Sequence, residues 1–357
     1  MKKQNVFAII IACTLALTFI MVGCSNDETK SDDNNVIAQV LDTATSTVSE
    51  KIANKVVGEL AQTDIEPLAD ESTDKADPEN FYSFSDILIQ DGKMFTVSDN
   101  ALHIYDYKTK LESKHAVDGQ LQAVAFYNGA VYVGGDKLYQ LNDTTLEFVD
   151  SDFDGTITEL YNYGTQLMIG TTNGLYRKGV FGKDKLMDNI TVSAITEDNS
   201  GLWIGSKGEG LYRWDGENFQ KRFLRRDTTI FNFVNAIDFK HDHLYVGCDN
   251  GLYVYDGGKW KTLTTEDGLP DNNIRAIDAT DWTVYVGTDK GVSGYYNEEL
   301  TPVNKLEQTQ VNALKVRGRK LVVATEFEGV IEKKGNVLIT LVQPVKIDNI
   351  QILSLLP

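Results

Sequence analysis

From Phe81 onward, apolar and polar residues alternate at period two in short runs, the pattern of half-buried β-strands rather than helices. The clearest run is 195–219, ITEDNSGLWIGSKGEGLYRWDGENF. Ile195–Glu197, Leu202–Gly205 and Leu211–Trp214 read as three strands, and the turn residues of 198–201 and 207–210 separate them.

The same record recurs along the chain, with a small residue after a central apolar pair: Ser98, Gly134, Gly170, Gly205, Gly247, Gly287 and Ala324. Successive spacings are 36, 36, 35, 42, 40 and 37 residues. That is close to the ~40–45 residues of a four-stranded propeller blade. Seven such units without helix periodicity predict an all-β, seven-bladed β-propeller of four-stranded blades. Radial stacking would cover both faces of each small sheet. The repeated glycine is expected where a neighbouring blade leaves no room for a side chain. The seventh repeat ends near Val342, and Asp348–Leu353 resembles one more inner strand. Two arrangements stay open: a strand that closes the ring against the first blade, or an incomplete eighth blade.

Residues 195–215, together with EDGLPDNNI from Glu266 to Ile274, resemble the repeat of the two-component regulator propellers, roughly I-x-x-D-x-x-G-x-L-W-I-G-T-x-x-G-L-x-x-Y-D followed by D-G-L-P-x-N. The match is strong in repeats four and five, fair in three and six, and outlined in one, two and seven. The resemblance implies a periplasmic, ligand-sensing propeller of the kind usually joined to a hybrid histidine kinase and often linked to polysaccharide use. In this sequence the propeller reads as a stand-alone module.

Ahead of the repeats, Lys2 and Lys3 precede an apolar run from Val6 to Val22 that ends in Met21-Val22-Gly23-Cys24, the layout of an export signal. The last four residues resemble a bacterial lipobox, which implies a signal peptide over 1–23 and palmitate-type acylation of Cys24; several acyl chains on one residue anchor durably. Loss of Lys2 and Lys3 would take the formal charge from −18 to −20. Residues 24–80 then form an acidic tether: positions 25–80 hold 14 acidic and 4 basic side chains and few aromatics, a composition that stays extended. Within it, Ile37, Leu41, Ala44, Val48, Ile52, Val56 and Leu60 fall on one face of a helix over about 35–61. Docking on the propeller and self-association are both open for that face. The propeller domain spans 81–357.

The chemistry is sparse. Of three cysteines, Cys13 leaves with the signal, Cys24 is the lipid site, and Cys248 is expected as a buried structural thiol. His241-Asp242-His243 lacks a third ligand nearby and reads as a solvated turn. No nucleophile elbow or phosphate loop occurs. Asp150, Asp152 and Asp154 alternate before Gly155 in a calcium-loop spacing, but Tyr161 stands where the bidentate Glu belongs, so a calcium loop and an ordinary repeat turn both fit. The run 220–227 carries Lys221, Arg222, Arg225 and Arg226; it suits carboxylates of an acidic glycan or protein partner, or is a charged edge strand protected from pairing. Lys207, Asp289 and Lys290 sit in turns expected on the ligand face. The acidic balance and the export signal argue against nucleic acid.

These readings combine into a lipid-anchored extracytoplasmic module, more in keeping with an outer than an inner membrane because Ser25 follows the cysteine. It would recognise a ligand or envelope partner through one propeller face. A carbohydrate-directed lyase or hydrolase on that face is the alternative.

Overall fold

The computed structural model describes residues 82–222 and 233–344. They form seven four-stranded antiparallel sheets, each built from consecutive strands, and this is the all-β seven-bladed propeller expected from the repeats. The export signal, the acidic tether and its expected helix, Arg225, Arg226 and Asp348–Leu353 lie outside the described residues. The inner strands are Phe84–Gln90, Leu121–Tyr127, Ile157–Tyr163, Val192–Asp198, Val234–Lys240, Ile274–Ala279 and Val311–Arg317. The three-strand record of 195–219 is lengthened to Val192–Asp198, Gly201–Ser206 and Gly210–Trp214, and it gains a fourth strand, Phe219–Arg222. Part of the basic run is therefore the outer strand of blade four rather than a connection to blade five.

Seven apolar cores correspond to seven blade interfaces, each drawing residues from two adjacent blades. The interface explains the glycine. A Cβ on Gly134, Gly170, Gly205, Gly247 or Gly287 would lie 2.4–2.6 Å from a branch methyl of Ile157, Val192, Val234, Ile274 or Val311, the first inner-strand residue of the next blade. A β-branched side chain therefore fills the volume that glycine leaves, and burying each such residue is worth about 1.5–3 kcal/mol. Two interfaces invert the rule. In blade one, Val97 holds the glycine place, because Val97 pairs with Asp86 as Gly134 pairs with Ala123. It packs with Leu121, which is not branched at Cβ. In blade seven, Ala324 packs with Phe84. Ser98 is thus not the first anchor. It lines up with Thr171, Ser206, Thr288 and Thr325, whose hydroxyls close the following turns by donating to Gly174, Gly210, Gly291 and Gly329 carbonyls at 2.8–3.1 Å. Cys248 takes the same place in blade five and is buried; burial, with Asp249 beside it, raises its pKa.

Among the described residues the ring closes at seven blades, each sheet built from consecutive strands. The last blade is complete with Val337–Val342, and Phe84, Ile87 and Met94 share one core with Val322, Val330 and Val342. Tyr82 N–H donates to the Pro344 carbonyl at 2.7 Å across the seam. An eighth blade has no gap to fill.

Candidate functional site

Every inner strand opens with the same irregularity. Its register slips between the first and third residues, so the second is an extra, bulged residue. Bulges re-aim side chains and concentrate at strand ends near binding sites. Here the bulged residues are Ser85, Gln122, Thr158, Ser193, Asn235, Arg275 and Asn312: seven polar side chains, one per blade, all lining a central cavity of about 980 Å³. Three of them tie the ring together. Thr158 Oγ1 donates to the Val192 carbonyl at 2.6 Å, Ser193 Oγ to the Val234 carbonyl at 2.5 Å, and Asn235 Nδ2 to the Ile274 carbonyl at 2.9 Å. Arg275 is held in place by Asp289, whose Oδ1 accepts from Nε at 2.6 Å.

Below this polar ring the third residue of most inner strands is alanine, but blades one and three place Asp86 and Glu159 there. Two residues further along come Asp238, Asp278 and Lys315. Each of the three aspartates bridges to the next blade: Asp86 accepts from Val124 N–H at 2.9 Å, Asp238 from Ala279 N–H at 2.7 Å, and Asp278 from Val316 N–H at 2.8 Å. Burial raises the Asp86 pKa to about 6, against the lowering effect of the Val124 N–H and Lys315. Burial, then the Asp86 charge, push Glu159 well above the usual carboxylate range. Asp238 is raised chiefly by burial. For Lys315 burial acts downward, yet Asp278, bonded at 3.1 Å, with Asp238 and Asp86, reverses that and keeps the ammonium charged. Perturbed carboxylates in a cleft are a mark of function, but both Asp86 oxygens are already occupied by the Ile87 and Val124 N–H groups. The structural share of this network is large.

The residues singled out from the sequence separate into three groups. Lys207 lines the mouth of the cavity, and Asp289 reaches it through Arg275, while Lys290 beside it pairs with Asp271 at 2.7 Å. Lys221 and Arg222 lie on the outer strand of blade four, and Lys221 is bound to Glu209 at 2.6 Å. Asp150, Asp152 and Asp154 face lysines from the next blade. Lys183 Nζ stands 2.9 Å from Asp150 and 3.7 Å from Asp152, Lys185 Nζ 3.0 Å from Asp154, and Lys183 also covers the Phe153 ring. Two ammonium groups supply the positive charge that the calcium reading assigned to a cation, and among the described residues no three acidic, His or Cys side chains are grouped for a metal. The loop is an ion-paired blade contact.

One arrangement was hidden from the sequence. Ser98 Oγ lies 2.8 Å from His103 Nε2, and His103 Nδ1 lies 2.8 Å from Glu112 Oε1, the linkage of a serine hydrolase triad. Ser98 is 0% exposed and His103 is covered by the Tyr82 and Phe84 rings. No substrate atom can reach that hydroxyl, so the relay satisfies buried polar groups in blade one.

No protein-family model matches this chain, and no curated protein matches it. Solved structures do match in fold. The extracellular domain of a putative one-component system from B. thetaiotaomicron superposes with TM-score 0.60 at 18% identity, over 70% of this chain and 39% of that one. The chain therefore spans well under half the length of that extracellular domain. The WD40 β-propeller domain of Doa1 gives 0.55 at 12% identity, over 71% of this chain and 92% of that domain. A computationally designed protein, Ika8, gives 0.51 at 14%, over 72% and 98%. At such identities the likeness is one of architecture.

Proposed function

We propose that this chain is an extracytoplasmic binding module of the two-component regulator propeller type, held to the envelope by lipid on Cys24, which takes a ligand or partner at the channel mouth. The observation that carries the reading is the ring of seven bulged polar residues around a cavity of about 980 Å³, a size within the range of ligand sites. Lys207 adds positive charge to that rim, and Arg275, whose charge is met by Asp289, adds guanidinium N–H donors; both suit a carboxylate-bearing ligand such as an acidic glycan. The extracellular domain among the fold neighbours supports an extracytoplasmic setting.

Calorimetric titration with acidic oligosaccharides and small dicarboxylates tests the mouth. We expect binding that weakens at least about tenfold in the Lys207→Ala/Arg275→Ala variant and is unchanged in Lys221→Ala. Affinity that ignores the rim pair, or no binding by any probe, would remove this reading. Turnover of a probe that is abolished by Glu159→Gln would instead favour a carbohydrate-directed enzyme, for which the raised pKa of Glu159 is the supporting observation. The anchor is tested separately: Cys24→Ser should stop palmitate labelling and shift the chain out of the membrane fraction. Unchanged labelling would refute acylation at that residue.

A further inference from the structure

At the end of the ring opposite the mouth, blades five and six enclose a second cavity of about 550 Å³. Val254, Val284, Tyr245 and Tyr295 line it, with the indoles of Trp260 and Trp282 beside them. Trp282 sits at the tip of a hairpin whose shape is fixed by one hydroxyl: Thr280 Oγ1 accepts from Trp282 N–H at 3.2 Å and Thr283 N–H at 3.0 Å and donates to the Thr283 carbonyl at 2.8 Å. These bonds set the backbone of the tip, and the indole it carries is 79% exposed. Trp260, in contrast, is backed by Tyr255 at 4.7 Å between ring centroids. Tyr296, 55% exposed, lines the same groove, and exposed aromatic surface gathered in one place is a feature of recognition sites.

The polar groups narrow the ligand. Lys240 is bonded to Asp281 at 2.8 Å, Lys261 to Glu298 at 3.1 Å, and Asp256 accepts the N–H groups of Gly258 and Lys259 at 2.9 and 2.7 Å. Most of the charge in the groove is thus satisfied internally, which leaves little field for an ionic ligand. Tyr245 is different. The residue is 8% exposed and lines the cavity, and its hydroxyl, unbonded among the described residues, faces the water of the groove. Burial raises that phenol's pKa to about 12, so it is a neutral donor and acceptor. A purely apolar ligand would strand it, at the cost of an unmet buried polar group.

A ligand that meets both demands has a flat C–H face for the indoles and a rim of uncharged hydroxyls. We propose that this groove is a second binding site, independent of the mouth, for one or two rings of a neutral carbohydrate. Tryptophan fluorescence and saturation-transfer NMR on the full chain, with neutral trisaccharides of glucose, galactose and mannose and an aromatic tripeptide as competitor class, test it. At least one trisaccharide should bind at millimolar concentration or below, with contacts to its C–H face and a change in emission. Trp282→Ala and Tyr245→Phe should each weaken it about tenfold, equivalent to ~1.4 kcal/mol, with Lys207→Ala without effect. Because Trp282 is at an exposed tip, that variant should keep the wild-type melting temperature. No saccharide bound at up to about 10 mM, a decade above the millimolar range, binding that survives both substitutions, or binding of the tripeptide alone would each overturn the proposal.

Discussion

Gly247→Val should destabilise the propeller by about 3 kcal/mol, because it forces a branched side chain into a filled core. The melting temperature should fall by roughly 6–12 °C. A Cβ at residue 247 would lie 2.4 Å from Ile274 Cγ2 and 2.9 Å from Ile274 Cβ, and a branch fixed that close to the backbone cannot swing away. The same sequence contains the compensated version, Val97 against Leu121, where the branch has moved from one side of the interface to the other. Adding Ile274→Leu should therefore restore at least about 1 kcal/mol, a coupling within the usual range for touching residues. Calorimetry on the two single variants and the double variant reads this directly. Simple additivity would show that the branch exchange across the blade interface is not what sets the glycine.

Lys315→Met should cost about 2 kcal/mol at about pH 8 and much less at about pH 5. The figure is below that for breaking a fully buried pair, because Lys315 is 45% exposed to the water of the channel. The sign follows from the carboxylates. Asp86 has a folded pKa of about 6 against an ordinary 3.8, so between those values the folded chain holds more protons than the unfolded one. Wild-type stability from this group is accordingly greatest at low pH and declines as pH rises through 6. Without the ammonium, the charge that forms on Asp86 in that range, and that on Asp238, whose pKa burial also raises, lose the group that offsets their burial. The deficit of the variant should widen as pH increases. Guanidinium unfolding at the two pH values checks it, and a deficit independent of pH would place the role of Lys315 in packing.

The repeat was legible because five blade interfaces solve one packing problem in the same way, and a glycine at near-constant spacing, followed in four of the five by threonine, serine or cysteine, is visible without coordinates. Blade one was misaligned by one residue for the same physical reason: Val97 and Leu121 exchange the branch, so no glycine marks the place. The bulged ring was not legible. Gln122 or Asn235 in an alternating run looks like an ordinary solvent-side residue, and nothing local distinguishes an extra residue from a paired one. A signal does exist, since an apolar residue, a polar residue and then alanine or a carboxylate open every inner strand, from Phe84-Ser85-Asp86 to Val311-Asn312-Ala313. Its meaning appears only when seven copies face one axis. Lys183 and Lys185 were likewise invisible as partners of Asp150 and Asp154, because they belong to the neighbouring blade. The groove beside Trp282 depends on the same long-range assembly, for its walls come from turns and strands of two blades.

The bond from Tyr82 to the Pro344 carbonyl has a consequence for how the polypeptide could be rewired. The two extremities of the described body meet side by side, so a short linker between them, with new ends cut at an outlying turn such as 143–144, should yield a circularly permuted chain that still folds. The native juncture, where the described residues share no strand between the first and last blades, is also where thermal opening of the circle should start.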